Sequence, residues 1–412
     1  TLFNNTLASD SYFFYWDDSY EEEIILPEEG FTFEFAGGYD TVGDAFDVQV
    51  VGNIAYVSVD GGGLLSFNVS DVSDIVKLDQ YQRAGSPDTR SMIVLDDYAY
   101  VAETSGIAIY NIADPHNISK AVGYELPSAY GMAISGDYMY VAARSLGLVV
   151  LDISDITNIT ILGSYDTSAE SYNVVIKDNL AYVADFDSLV ILDISNHSSI
   201  QYVNSYDMPT SGGQCRSVVV DGDLAYVAAG TDGLLILDIS NPEIINLVGL
   251  YDSEAAVVDI SLVGKYVIFS DYYAVSAVDV SNLSNPRLVT TYDTDSDRTW
   301  AVDVTSDYVY VADDYRGLVV LEIVPKAVSE LPWTYETGDT VKAINIPKNG
   351  EFIIAGGWNN DVYMFDKDSS VPLWNFSGIS NVLSISSDAN SDYIAVGAAD
   401  GLYLLNRSGE EL

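Results

Sequence analysis

The chain has 412 residues, beyond the roughly 250–300 at which one hydrophobic core stops growing, so it needs several domains or a modular arrangement. Asp and Glu number 62 against 16 Lys and Arg, a formal net charge of −46, which excludes nucleic-acid backbone binding as its main role. Charged residues are only 19%, below the about 25% usual in soluble proteins, no apolar run reaches the ~18 residues of a membrane-spanning helix, and the single cysteine, Cys215, rules out an internal disulfide framework.

Residues 1–30 match no repeat. Tyr12, Phe13, Phe14, Tyr15 and Trp16 form an aromatic run of high strand propensity ahead of an acidic block. The segment reads either as a hairpin on its own chain or as a strand added to a neighbouring subunit, which would make these five residues an assembly joint. Next, "FTFEFAGGYDT" from Phe31 to Thr41 has the form of a last strand, standing before any complete repeat.

From there a tyrosine recurs at Tyr56, Tyr100, Tyr140, Tyr182, Tyr226, Tyr266 and Tyr310, mostly within "AYVA" or a close variant. The period and the short β-branched apolar runs predict β-blades rather than a helical solenoid. Between Tyr130 and Thr167, "GMAISG", "YMYVAAR", "LGLVVLDIS" and "ITILGSYDT" read as four strands joined by Gly- and Asp-containing turns. Repeated around an axis, four-stranded antiparallel sheets give an all-β propeller, an arrangement that leaves only short, protected edges. The third strand, "LVVLDIS" from Leu148, "LVILDIS" from Leu189 and "LLILDIS" from Leu234, is apolar almost throughout, as a strand buried on both faces should be.

These runs resemble the LVIVD repeat, a propeller-forming repeat of archaeal and bacterial surface proteins, over residues 31–326. The resemblance implies a fold and brings no catalytic residues with it. Residues 327–412 instead resemble two PQQ-like or WD40-like blades, with Phe352 and Tyr393 keeping the period. Nine repeat units result, the last lacking a fourth strand. They could close as one ring locked by Phe31–Thr41, or as a seven-bladed ring plus two extra blades. The unbroken spacing between Glu322 and Tyr335 tilts the expectation to one ring.

Candidate chemistry is sparse. His116 and His197 fall in loops after third strands of different blades, and Cys215 has Arg216 beside it but no histidine nearby in sequence. Asp293, Asp295 and Asp297 alternate as in the start of a calcium loop without its glycine or distal glutamate, leaving calcium as the one candidate cofactor. Asp152, Asp193, Asp238 and Asp279 recur once per blade, which suits a structural turn. Two blades without a cationic cluster do not support a quinone cofactor. Sequons stand at Asn4, Asn68, Asn117, Asn158, Asn196, Asn282, Asn375 and Asn406, five of them at or after a third strand and so on one rim. The expected role is a non-enzymatic extracellular or cell-surface structural glycoprotein that assembles with itself. A monomeric binding or adhesion propeller recognising surface glycans or proteins is the alternative, and a glycan-active hydrolase the third.

Overall fold

A computed structural model describes residues 24–412 except 28–29, 83–87, 211, 297, 327–334, 349, 368 and 390–391. Among the described residues the regular structure is entirely β, and no helix is long and apolar enough to cross a membrane. The chain forms two compact units, Thr1–Pro325 and Lys326–Leu412.

In the first unit each repeat is a four-stranded antiparallel sheet, as in blade 3: Gly131–Ser135, Tyr138–Ala142, Leu148–Asp152 and Thr160–Tyr165, from the axis outward. The innermost strands of blades 1 to 7 are Ala45–Val51, Thr89–Leu95, Gly131–Ser135, Ser171–Lys177, Gly213–Asp221, Val257–Val263 and Thr299–Val304. Each packs on the next, and the seventh packs back on the first. Blade 7 supplies only three strands of its own. Its fourth is Phe31–Tyr39, paired antiparallel with Gly317–Pro325.

Of the two closures that the sequence left open, the seven-bladed ring is the one formed, not the single nine-bladed ring toward which the spacing tilted. The N-terminal strand does complete a blade, but that blade is the seventh. Tyr310, Ala312, Leu318 and Val320 of blade 7 share one core with Val48, Val57 and Phe67 of blade 1, so no gap remains there for further blades.

Three sequence features recur in the blades, two of which hold neighbours together while the third shapes a turn within each blade. The recurrent tyrosine points into the next blade: Tyr140 packs with Val174, Ile176 and Val183 of blade 4, and Tyr310 with blade 1. Blade 6 departs from the pattern. Ile268, paired with Ser261, occupies the position of Tyr56, paired with Gln49, so Tyr266 lies two residues early and instead donates to the Pro27 carbonyl at 2.8 Å. Second, a hydroxyl shortly after "YD" reaches an acid at the end of the second strand of the following blade or, for Asp232, in the turn just beyond it. Thr167 donates to Asp185 at 2.6 Å, Thr210 to Asp232 and Ser253 to Asp271. Third, Asp152, Asp193, Asp238 and Asp279 each accept the backbone N–H two residues on, at 3.0, 2.8, 2.9 and 2.8 Å. These are Asx-turns, the structural role their repetition implied.

The second unit contains one four-stranded sheet, Val341–Asn345, Phe352–Gly357, Asp361–Asp366 and Pro372–Ser377 (blade 8). A three-stranded sheet follows, Val382–Ser387, Tyr393–Ala398 and Gly401–Asn406 (blade 9). Ile354, Val362 and Met364 of blade 8 share a core with Val382, Ile394 and Val396 of blade 9.

Candidate functional site at the mouth of the ring

All seven inner strands start at the same face of the first unit. In six of them the ladder slips at the start, between Ala45 and Asp47, Thr89 and Ser91, Ser171 and Asn173, Gly213 and Ser217, Val257 and Asp259, and Thr299 and Ala301. Such a bulge breaks the in–out alternation of the strand and re-aims a side chain. Two consecutive residues per blade consequently line the axis. Phe46, Arg90, Tyr130, Tyr172, Arg216, Val258 and Trp300 form the outer layer, and Asp47, Ser91, Gly131, Asn173, Ser217, Asp259 and Ala301 the layer beneath it.

The outer layer is built mainly of aromatic rings and guanidinium groups, with Val258 from blade 6. Phe46 stacks on Trp300 with ring centroids 5.1 Å apart. Arg90 lies 4.8 Å from the Phe46 ring and 5.6 Å from the Tyr130 ring, and Arg216 lies 4.9 Å from the Tyr172 ring. Arg144, from the turn after the second strand of blade 3, reaches over Tyr130 and Tyr172, while Arg298 flanks Trp300. In a chain with only 16 cationic side chains, four arginines converge at this mouth.

Their pairing is uneven. Arg90 binds Asp88 at 2.8 Å, and Arg144 binds Glu170, which also accepts from the Tyr172 hydroxyl at 3.1 Å. The Nε atoms of Arg90 and Arg144 are buried without a hydrogen-bond partner among the described residues. Arg216 donates from Nε to Gln214 at 2.9 Å and has no described carboxylate within ion-pair distance. The Arg144 hydrogen bond holds the Glu170 carboxyl below its usual range. Burial, followed by the nearby Asp259 carboxylate, pushes Asp47 well above it. The axial cavity has a volume of about 60 Å³, room for a few water molecules or an ion. A broader depression of about 410 Å³, bordered by Ser145, Thr167, Glu170 and Phe186, opens on the same face and is of small-ligand size.

The residues singled out from sequence lie elsewhere. The turns after the third strands are on the face opposite the mouth, because the antiparallel ladders return there. His116 is exposed in one such turn, whereas His197 in another is half-buried, its Nε2 3.0 Å from the Tyr140 hydroxyl across the blade interface. Cys215 is fully buried in an apolar cluster, and burial pushes its thiol upward despite Arg216. Asp293 accepts the Asp295 backbone N–H at 2.9 Å, and Asp297 lies outside the described residues. Among the described residues no group of three or more His, Cys, Asp or Glu side chains could hold a metal ion.

Asn117, Asn158, Asn196 and Asn282 are exposed on the rim opposite the mouth, and Asn68, half-buried there, caps the Ser70 N–H at 3.0 Å. Asn375 lies on the outer strand of blade 8 and Asn406 ends the last strand of blade 9. Asn4 and the aromatic run Tyr12 to Trp16 fall outside the described residues.

The mouth residues themselves escaped the sequence reading. A signal existed: Phe46, Arg90, Tyr130, Tyr172, Arg216 and Trp300 each stand ten residues before the recurrent tyrosine, at a position that varies in chemistry while its surroundings repeat.

A search of curated proteins finds no match. Among solved structures, the WD40 β-propeller domain of Doa1 superposes with a TM-score of 0.58 at 11% identity, over 72% of this chain and 98% of that one. The extracellular domain of a one-component system from B. thetaiotaomicron gives a TM-score of 0.54 at 14% identity, over 92% of this chain and 54% of that one. Both share the propeller fold. The LVIVD repeat family matches seven consecutive stretches, residues 42–82, 86–124, 128–167, 170–208, 212–253, 256–294 and 298–335, one for each blade of the closed ring. The chain belongs to the LVIVD repeat family.

Proposed function

We propose that the protein is a non-enzymatic extracellular binding propeller whose mouth recognises a small, ring-bearing carboxylate, such as an acidic sugar. The observation that carries this reading is Arg216, a guanidinium laid on the Tyr172 ring with no described carboxylate partner, on an otherwise strongly acidic chain. Planar guanidinium donors match a carboxylate, and aromatic faces suit the apolar side of a ring. The net charge of −46 would repel a polyanion at long range. A short anionic ligand escapes most of that field, which is screened beyond about 8 Å at physiological salt.

A hydrolase needs an acid held protonated or a nucleophile beside a base. Glu170 is depressed by Arg144, Asp47, the acid that burial raises, lies in the lower layer and accepts the backbone N–H groups of Val48 and Met92, both histidines lie at the opposite face, and Cys215 is sealed in the core. Export is supported by scarce Lys and Arg and by sequons placed where glycans would leave the mouth open. Isothermal titration with glucuronate and glucose tests the binding reading. Saturable binding of glucuronate alone, weakened on the order of tenfold by Arg216→Gln, is expected from loss of a charge-assisted bond. Equal binding of both sugars, or an Arg216→Gln variant that binds unchanged, would overturn it.

A second reading, self-assembly, is favoured by the second unit. Blade 9 exposes Leu402 and Leu404, at positions that in blade 3 belong to Leu148 and Val150 and pack against blade 4. Blade 8 exposes Ile344 and Ile346, matching Val174 and Ile176 on the receiving side of that interface. The two faces are complementary halves of one blade–blade contact, so copies could join head to tail into a filament. Sedimentation should then show concentration-dependent oligomers that Leu402→Asp abolishes; a monomer at all concentrations rejects this reading.

A further inference from the structure

Beneath the arginine layer, the axis changes character. Asp47 and Asp259 are 2% and 4% exposed, and they line the same cavity as Ser91, Asn173 and Ser217. Part of their hydrogen-bonding capacity staples the blades. Asp47 accepts from the backbone N–H of Val48 and of Met92 in blade 2, and Asp259 from Val302 in blade 7 and the Ser217 hydroxyl in blade 5. A carboxylate offers about four lone-pair sites, of which the two bonds to Asp47 use only part.

Two further oxygens have no partner. Asn173 Oδ1 and Ser91 Oγ are buried atoms without a hydrogen bond among the described residues, on side chains 4% and 6% exposed that line this cavity. An orphaned buried acceptor costs free energy comparable to a lost hydrogen bond. Here one amide oxygen and one hydroxyl are orphaned on the axis that two carboxylates also line. The carboxylates of Asp259 and Asp303 act on Asp47, while Arg90 and Arg216 line the outer layer of the same cavity.

We infer that Asp47, Asp259, Asn173 and Ser91 form an all-oxygen site for one divalent cation of the calcium type in the channel of the ring. Hard cations take carboxylate, amide and hydroxyl oxygens together with water. The cavity of about 60 Å³ accommodates such an ion with a partial water shell. Two carboxylates from blades 1 and 6 with neutral oxygens from blades 2 and 4 would tie four of the seven blades through one ion. The site is independent of the Asp293 turn and does not require the ligand proposed for the mouth.

Calcium titrated into chelator-treated full-length protein at physiological salt tests the site, by calorimetry and by melting temperature. One saturable calcium per chain above the weak background of surface carboxylates, with a raised melting temperature, is the expected result. Terbium alone should show luminescence sensitised through the adjacent Trp300, reduced in Trp300→Phe. Asn173→Ala and Ser91→Ala, which leave the blade staples intact, should each weaken calcium binding on the order of tenfold without lowering the metal-free melting temperature. Arg216→Gln, which removes a positive charge from the outer layer of the same cavity, should bind calcium at least as tightly as the parent while losing the mouth ligand, which separates the two sites. Absence of saturable binding would show that the cavity holds water only, and unchanged affinity in Asn173→Ala with Asp47→Asn would place the calcium elsewhere; either overturns the inference.

Discussion

The ring and the two-bladed unit use the same strands to different ends. Leu148, opening the third strand of blade 3, is 0% exposed, whereas Leu402 at the equivalent point of blade 9 is 79% exposed. Val174 and Ile176 of blade 4 are 1% and 7% exposed, against 63% and 61% for Ile344 and Ile346. The local sheets are alike; the neighbours differ. A blade is thus a half-finished core: its strands form from local pairing, but its apolar faces are covered only by adjacent blades, as in other repeat architectures. Closure gives every blade of the ring two neighbours, and the strand Phe31–Tyr39 locks the last of them.

Breaking that lock should have the largest effect. Phe31 is fully buried, its ring centroid 5.1 Å from that of Tyr266 and 5.5 Å from that of Phe33. Phe31→Ala should cost about 3–5 kcal/mol, seen as a lowered denaturant midpoint for the ring. If the N-terminal strand were not part of blade 7, the midpoint would stay where it was.

The direct contrast comes next. Leu148→Ala should cost about 2–5 kcal/mol, while Leu402→Ala should lie within about 0.5 kcal/mol of the parent. Denaturation of both variants at low protein concentration measures the difference. A large loss for Leu402→Ala would mean that its face is covered in solution, and concentration dependence of that loss would point to a second copy.

Smaller again is the latch between blades 3 and 4. Thr167→Val keeps the shape but removes a donor from Asp185, which also accepts from the Ser171 hydroxyl and the Ala169 N–H, at 3.0 Å each. Loss of one bond to a buried carboxylate should cost about 1–3 kcal/mol. Thr167→Ser, which restores the hydroxyl, should recover most of it.

Much of this architecture was legible in the sequence because propeller repeats write their packing into it. The recurrent tyrosine, the apolar third strand and the Asx-turn aspartates each mark a fixed place in a blade. Ring size was not legible, since spacing continues through Glu322 to Tyr335 whether or not the ring has closed; only the partner of Phe31–Tyr39 decides it. The mouth was hidden for a different reason. Phe46, Arg90 and Trp300 face the axis because bulges re-aim them, and a one-residue slip in register leaves no mark in hydrophobic periodicity. Attention to repetition also favoured residues that recur, such as the turn aspartates, over the positions that vary.

The effect of pH sharpens the same contrast between buried and exposed acids. Burial raises the carboxyl groups of Asp185, Asp271 and Asp313 in the ring, whereas hydrogen bonds from the hydroxyls of Ser154, Ser195 and Ser240, and then from their backbone N–H groups, lower those of Asp152, Asp193 and Asp238 on its surface. A raised acid binds protons in the folded state while its unfolded counterpart, near pKa 3.9, has released them, so stability falls as pH rises through the interval between those two values. A lowered acid does the reverse: its contribution is complete above the unfolded value and is lost as pH falls through the folded one. The melting temperature of the ring should therefore climb as pH is lowered from neutral toward mild acidity, then fall once the turn aspartates are protonated. Asp185→Asn removes one raised acid but keeps an acceptor for Thr167, and should flatten the upper part of that curve while leaving the acid limb in place. A parent curve that instead declines steadily from neutral pH downward would mean that the surface turns, rather than the buried acids between blades, govern the response of the ring to protons.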